Sequence, residues 1–225
     1  MSKILNKIKV FFYLLKSGKY KDILTILKRR IYSDEKFYLV RKDISNIDNE
    51  EKPKSRIDIS LRPYEDADHI HFENLIEDDR LLAANIPTCY VAVTKDDIPC
   101  FRAWLMEPKD NDKIQAFFVY NFPILKPDEF IIERVQTVEA YRGLYLIVTV
   151  NNLLLQKAKE LGYRWLFGCI KADNYPSLKG ASRSGIYPYK LSITKYRFFT
   201  SRFVYVDIPK KLKRKTPWLF PKEAS

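Results

Sequence analysis

The turn Ala140-Tyr141-Arg142-Gly143 has the residue types best suited to binding an anion. It lies between an apolar run at Phe130–Val138 and a helical pattern that ends at Gly162. Backbone N–H groups at the start of a helix have no partner within the helix, and the helix dipole adds positive charge there. Because Gly143 has no side chain, a phosphate can approach the backbone closely. We therefore predict an anion site formed by the amides of residues 143–147.

A second polar joint, Asn174-Tyr175-Pro176-Ser177, follows another apolar run at Tyr163–Ile170. Two strands that are each followed by a helix place such joints at the carboxyl ends of neighbouring strands, where open sheets bind ligands. A strand, a helix and a strand in this order predict a parallel crossover inside a mixed sheet.

The remaining pattern predicts an α/β fold with a mixed, mostly antiparallel central sheet flanked by helices. Apolar residues at helical spacing from Ile147 to Leu161 predict a long helix capped by Gly162. β-rich runs at Cys89–Val93 and Cys100–Met106, with an Asp-rich turn between them, predict a hairpin. Further predicted elements are strands at Ile57–Leu61, Ile114–Phe122 and Ile186–Val206, and helices at Glu65–Ala84 and Ser177–Ser184.

Four segments are predicted along the chain. Residues 1–42 are a basic amphipathic helical extension, and residues 43–56, which are polar and carry little apolar surface, form a linker. Residues 57–206 form the main domain, and residues 207–225 are a basic C-terminal tail.

The N-terminal extension has two interpretations. Lysines alternate with large apolar residues at helical spacing, which is typical of an amphipathic helix. In one interpretation the apolar stripe packs on the main domain or on a partner chain. In the other, Phe11–Leu15 enter a membrane interface while the lysines meet anionic headgroups, and Pro217–Phe220 of the tail add a second contact.

Composition narrows the function classes further. The formal net charge of +12 and the pI near 9.4 indicate an anionic partner, which is phosphate, nucleic acid, a membrane surface or an acidic substrate. The cysteines Cys89, Cys100 and Cys169 show no CxxC spacing and there are only two histidines, so we expect neither a disulfide framework nor a metal site. A reducing cytoplasm fits this use of cysteine best. No apolar run approaches the ~18 residues of a membrane-spanning helix, so we do not expect a transmembrane protein.

The order of these motifs resembles the GCN5-related N-acetyltransferase family. Its core joins a strand, an Arg/Gln-x-x-Gly-x-Gly/Ala turn, a helix, a strand and an Asn-bearing loop. The matching residues are Thr137–Gly143, Ala158–Tyr163, Asn174–Ser177 and Gly185-Ile186, within a resemblance that covers 57 to about 200. The sequence departs from the family at Tyr145 and Ile147, where small residues are usual.

The resemblance implies the acyl-CoA N-acyltransferase fold, with acetyl-CoA or another acyl-CoA as co-substrate and no metal. By position, the backbone of Thr137 and Val138 would pair with the pantetheine arm. Asn174 and Ser177 would bond near the thioester. The pyrophosphate would be held beside Arg142 by the amides of Gly143, Leu144, Tyr145, Leu146, Ile147 and Val148.

Acyl transfer to an amine needs a base that accepts the proton of the amine, and an acid helps the thiolate to leave. Our first choice of base is Glu133, which by alternation shares a face with Val135 and Thr137; its alternative role is a surface carboxylate paired with a cation. His69 and His71 are other candidate bases. The family's acidic tyrosine corresponds to Ala181, so Tyr187, Ser182 and Ser184 are its candidate replacements.

The predicted function is therefore acyl transfer to a small-molecule amine. An amino sugar or nucleotide sugar used in surface glycan synthesis suits a peripheral location on the inner face of the membrane. The alternative is a non-catalytic binding protein with a basic surface for nucleic acid or a protein partner. We do not expect nucleic acid, because the aromatic and basic residues between Tyr187 and Phe199 fit a packed strand with a charged outer face. The oligomeric state stays open.

Overall fold

The computed structural model describes residues 20–47, 55–72, 81, 86, 89–118 and 122–220. The chain divides into two compact units. One contains residues 1–37 and 192–206, and the other contains residues 38–191 and 207–225. The predicted main domain at 57–206 thus includes residues of both units.

Eight strands are hydrogen-bonded in the order β2-β3-β4-β5-β6-β1-β7-β8. Their bounds are β1 Tyr32–Asp43, β2 Ser60–Pro63, β3 Cys89–Val93, β4 Pro99–Met106, β5 Glu129–Thr137, β6 Trp165–Lys171, β7 Tyr187–Arg197 and β8 Thr200–Val206. The pairs from β2 to β5 are antiparallel, and β5 pairs with β6 in parallel. The predicted mixed, mostly antiparallel sheet and its parallel crossover are confirmed.

The helices, numbered among the described residues, are α1 Tyr20–Ile31, α2 Asn111–Phe118, α3 Leu146–Glu160, α4 Tyr175–Arg183 and α5 Lys210–Lys215. The prediction of a long helix capped by Gly162 is confirmed, since Gly162 has φ +88° and its N–H donates to the carbonyl of Lys159. No helix in the described part of the chain is long and apolar enough to cross a membrane.

The prediction of a helical extension through residue 42 is wrong over Tyr32–Asp43, which form β1. Tyr38, Leu39 and Val40 are consecutive buried residues, and a continuous buried run is typical of an interior strand. This strand lies between β6 and β7 in the hydrogen-bonded order. The helical spacing of apolar residues predicts the structure correctly only as far as Ile31, where α1 ends.

The predicted strand at Ile114–Phe122 is also wrong, because Asn111–Phe118 form α2. The Asn111 side chain donates to the carbonyl of Leu125 and accepts its N–H, both at 2.9 Å. Gln115 donates to the carbonyl of Phe122 at 3.0 Å. These two side chains satisfy the backbone of the following loop, which stabilises a helix there.

Within the predicted helix at Glu65–Ala84, Asp66–Phe72 form a short 3₁₀ helix and Leu81 is α-helical, while residues 73–80 and 82–84 lie outside the description. The core sits against β3–β5: all eight residues of β4 are buried. One cluster joins Trp104 and Met106 of β4 to Ile114 of α2 and Ile131 of β5.

The predicted linker and tail both contain packed residues. Ile44 and Ile47 are fully buried, so the described part of the linker is not a free chain. In the described part of the tail, residues 207–220, Ile208 and Leu219 are buried and Trp218 is 39% exposed. The first predicted helix, in residues 1–19, lies outside the described residues.

Helix α4 approaches the start of α3 closely at Gly180. A Cβ on Gly180 would lie 2.7–3.1 Å from three carbon atoms of the Ile147 side chain. Gly180 therefore fixes the distance between the two helices whose first residues border the candidate site.

We expect Gly180→Ala to lower the free energy of unfolding by about 1–3 kcal/mol, because the added methyl forces Ile147 from its position. Denaturant unfolding measures this loss. Adding Ile147→Ala should restore part of it, since the new methyl then enters the space left by Ile147. Strictly additive losses would contradict the close approach as the cause.

Candidate active site

Strand β5 contains an extra residue opposite β4. Arg102 pairs with Gln136 and Trp104 pairs with Glu133. A separation of two residues in β4 therefore lies opposite a separation of three residues in β5. Arg134 takes up the extra residue with φ +53°, in the left-handed region. Because the bulge interrupts the alternation of side chains, the predicted common face for Glu133, Val135 and Thr137 does not follow from sequence parity.

Strands β5 and β6 part just before this bulge. Their parallel register runs from Glu129 opposite Trp165 to Ile131 opposite Phe167, with no further pair among residues 122–220. Two residues later the N–H of Cys169 donates to Oε1 of Glu133 at 3.1 Å. A side-chain carboxylate has replaced the strand ladder at this point, and the strands are separated beyond it.

The end of β5 presents backbone groups to this gap. The Val138 N–H donates to the carbonyl of Cys100 at 3.0 Å, and the Val138 carbonyl accepts from Tyr141 at 2.9 Å. Thr137 pairs with Phe101 at the alternate, non-hydrogen-bonded position of the ladder, so its N–H and C=O point away from β4. Of the two residues predicted to pair with a pantetheine arm, Thr137 has no strand partner on that side among residues 122–220, and Val138 is bonded to Cys100 and Tyr141.

The loop after β5 contains the predicted anion site. A short 3₁₀ turn at Glu139–Tyr141 precedes it, and α3 begins at Leu146, three residues after the predicted start at Gly143. Within the described residues, the N–H groups of 143–147 have no hydrogen-bond acceptor, whereas Val148 donates to the carbonyl of Tyr145. These five N–H groups lie next to the positive end of α3, an arrangement that favours an anion.

Tyr145 occupies the N-cap of α3 with φ +61°. Its ring lies 5.3 Å from the guanidinium carbon of Arg56 and 5.4 Å from that of Arg183. The backbone N–H of Arg56 also donates to the carbonyl of Leu144 at 3.1 Å. Tyr145, where the family usually has a small residue, therefore makes cation–π contacts with two arginines beside these amides.

Arg142 also lies at this loop and is exposed; among the described residues its ion pair is a long 3.8 Å contact with Glu139. An exposed pair of that length contributes little, so the guanidinium is available to a ligand. Neither Arg56 nor Arg183 was a candidate from the sequence. No local pattern identifies them, because they reach the loop through the linker and through α4.

The predicted Asn174 lies at the N-cap of α4. Its Oδ1 accepts the N–H of Ser177 at 3.3 Å, so both predicted residues are joined in one helix cap. The amide NH₂ of Asn174 has no hydrogen-bond acceptor in the described part of the chain and remains a donor for a ligand.

No protein-family model matches the sequence, and no curated protein matches it. Solved structures do. A Drosophila protein superposes with a TM-score of 0.52 at 11% identity over 82% of this chain and 58% of its own. A GCN5-related glucosamine N-acetyltransferase region of a fungal multi-domain β-N-acetylglucosaminidase gives a TM-score of 0.52 at 10% identity, over 78% of this chain and 22% of the fungal chain.

The chain has the fold of the GCN5-related N-acetyltransferases. It spans little more than half of the Drosophila chain and about a fifth of the fungal one. The acyl-CoA N-acyltransferase fold expected from the sequence is thus confirmed.

Glu133 is a half-buried carboxyl on β5 that accepts the N–H of Cys169. Burial raises the pKa of Glu133 to about 7, against the opposing effects of the Arg134 guanidinium and of the N–H groups of Cys169 and Arg134. Burial and the neighbouring Glu133 also raise the pKa of the Cys169 thiol well above its usual value. A carboxyl that titrates near neutral pH suits proton transfer.

The other candidate groups are not brought together with Glu133 by any described hydrogen bond. Tyr187 is the first residue of β7, and its side chain makes no hydrogen bond or ion pair with the described residues. Ser184 donates to the carbonyl of Gly180, and Ser182 to that of Trp218, so both hydroxyls have a structural role. His69 and His71 lie on the 3₁₀ helix at Asp66–Phe72.

The raised pKa of Glu133 predicts a pH-dependent stability. The pKa of about 7 in the folded state exceeds the value of 4.5 in the unfolded chain, so stability present below pH 4.5 is lost as the pH rises through about 7. Glu133→Gln cannot ionise and should not show this loss. Between pH 4.5 and about 7, we therefore expect the free energy of unfolding of the variant to rise relative to that of the wild type by up to about 3 kcal/mol.

Urea unfolding of the two proteins at a series of pH values measures this difference. Values below pH 4.5 provide the internal control, because both side chains are then neutral. A difference that stays constant from acid to neutral pH would contradict the burial of a titrating carboxyl.

Proposed function

We propose that the protein transfers an acetyl group, or another acyl group, from a coenzyme A thioester to a small-molecule amine. The observation that carries the proposal is the parting of β5 and β6 beside a loop with five free amides. An extended ligand with amide groups fits the gap, and an anionic end fits the loop. Coenzyme A combines a pantetheine arm with a pyrophosphate.

The residues of the chain would divide the binding between them. The backbone of Thr137 pairs with the pantetheine arm, while Val138 is withheld by Cys100. The amides of residues 143–147 hold the pyrophosphate, with Arg142 and the Arg56 and Arg183 guanidiniums adding positive charge. The NH₂ of Asn174 bonds near the thioester, positioned by the cap that its Oδ1 makes with Ser177.

Glu133 acts as the general base in this proposal. With a pKa of about 7 it is ionised in a large fraction of molecules at neutral pH, and it still has substantial basicity. It takes the proton of the amine directly or through a water, after which the amine attacks the thioester carbonyl. Tyr187 donates the proton to the departing thiolate.

We propose an amino sugar or nucleotide sugar as the acceptor. The glucosamine named for the fungal region belongs to that protein, and the support in this chain is the basic, apolar N-terminal region, which suits work at an anionic membrane surface. The protein would lie on the inner face of the membrane, where precursors of surface glycans carry free amines.

Coenzyme binding is the first test. A Cβ on Gly143 would meet no protein atom within 4 Å, so Gly143→Ala obstructs only a ligand and strains the backbone at φ +81°. Calorimetry with acetyl-CoA should show that the variant binds about 10- to 100-fold more weakly than the wild type. This loss corresponds to one or two hydrogen bonds from backbone N–H groups to a charged group. Binding to the wild type should be readily detected.

Gly162→Ala is the matched control. Gly162 has φ +88° and equally open surroundings, at the other end of α3. Both substitutions should cost about 1 kcal/mol of stability, while only Gly143→Ala weakens coenzyme binding. Asn174→Ser, which keeps an N-cap oxygen and removes the NH₂, should weaken binding about 2- to 10-fold.

The alternative function, nucleic-acid binding, predicts the opposite result in these binding measurements. Absence of heat with acetyl-CoA at millimolar concentration, together with a steeply salt-dependent affinity for oligonucleotides, would favour a nucleic-acid-binding protein.

Glu133→Gln should lower the rate of acyl transfer by about 10²- to 10⁴-fold, because the base is removed. Initial rates with acetyl-CoA and a set of amino sugars measure this, and the wild-type rate should rise with pH through about 7. Coenzyme affinity should be unchanged in the variant, which separates a chemical role from a binding role. Retention of both rate and pH profile would assign the base elsewhere.

A further inference from the structure

The turn between β7 and β8 presents two phenylalanines to solvent. Phe198 is 78% exposed and Phe199 is 62% exposed. Their φ angles are +45° and +66°, so both residues are in the left-handed region. Two-residue hairpin turns of this kind are dominated by Asn and Gly, because a Cβ is strained there.

The backbone conformation of this turn has a structural purpose. The N–H of Phe198 donates to the carbonyl of Ile31, and that of Phe199 to the carbonyl of Arg30, both at 2.8 Å. The turn thereby satisfies the last carbonyls of α1. Asn or Gly would make the same bonds with less strain, so the backbone does not account for two phenyl rings in water.

Other apolar side chains of the same unit are exposed as well. They are Tyr20, Leu24, Leu27, Ile31 and Tyr32 near α1, and Phe203, Val204, Tyr205 and Val206 in β8. With the turn, this small unit provides 11 of the 19 large apolar side chains that are exposed in the described parts of the chain. Such a concentration marks an interaction surface.

The charge of the unit identifies the kind of partner. Residues 20–37 and 192–206 contain eight Lys and Arg and three Asp and Glu, a net charge of +5. Asp34 is paired with Arg197 at 2.8 Å. Lys28, Lys195 and Arg202 are exposed near the apolar residues in sequence.

We propose that the Phe198-Phe199 turn is an insertion tip for an anionic lipid bilayer. The phenyl rings enter the boundary between headgroups and acyl chains, and the neighbouring lysines and arginines bind lipid phosphates. This goes beyond the membrane location proposed for the N-terminal residues, because it assigns the contact to the β7–β8 turn. It is independent of acyl transfer, since it is tested without coenzyme or amine.

The test is co-sedimentation of the full chain with phosphatidylcholine vesicles that contain phosphatidylglycerol, against vesicles of phosphatidylcholine alone. The double variant Phe198→Asn with Phe199→Gly removes both rings and supplies the residues that this turn prefers. It should bind anionic vesicles at least about tenfold more weakly than the wild type. Its melting temperature should be equal or higher, because the strain is relieved.

Ile124→Ser is the matched control, since Ile124 is 72% exposed in a loop of the larger unit, and its vesicle binding should equal that of the wild type. Wild-type binding should be stronger to the anionic vesicles. The proposal is overturned if the double variant binds as the wild type does, or if the wild type binds no vesicle. It is equally overturned if the rings instead support self-association, seen as a dimer in analytical ultracentrifugation that the double variant loses.

Discussion

The N–H of Cys169 donates to the carboxylate of Glu133 at the point where β5 and β6 stop pairing. A strand ladder that ends inside a sheet leaves buried backbone groups without partners, which is costly unless another group satisfies them. Glu133 does so on one side, and the bulge at Arg134 redirects the rest of β5. Burial of the carboxyl at this point raises its pKa, although the N–H of Cys169 opposes the shift.

The end of the gap leads to a loop whose backbone is kept open by its own geometry. Gly143 and Tyr145 both have positive φ, and the five amides around them have no acceptor among the described residues. Tyr145 incurs strain of about 1–2 kcal/mol as a non-glycine residue in this region. In return its ring assembles Arg56 and Arg183 beside the amides, so positive charge at the loop comes from tertiary contacts and from the helix end together.

The two units use their basic character differently. In the larger unit cations converge on a helix N-terminus, an arrangement that fits a small phosphorylated ligand. In the smaller unit they accompany exposed aromatic side chains, which fits an extended anionic surface. The basic residues behind the net charge of +12 therefore lie in two different surroundings.

The sequence by itself determined the features that depend on neighbouring residues. Helix periodicity located α3, the Gly162 cap fixed its end, turn chemistry located the hairpin of β3 and β4, and Gly143 and Asn174 marked the two polar joints. The tertiary structure decided what depends on distant partners. β1 enters the sheet beside β6, α2 is stabilised by bonds to a later loop, and Arg183 reaches Tyr145 because α4 packs on α3 at Gly180. Local propensity is encoded within a few residues, whereas strand insertion, the bulge at Arg134 and the burial of Glu133 arise only when segments far apart in the chain compete for the same hydrogen bonds and the same space.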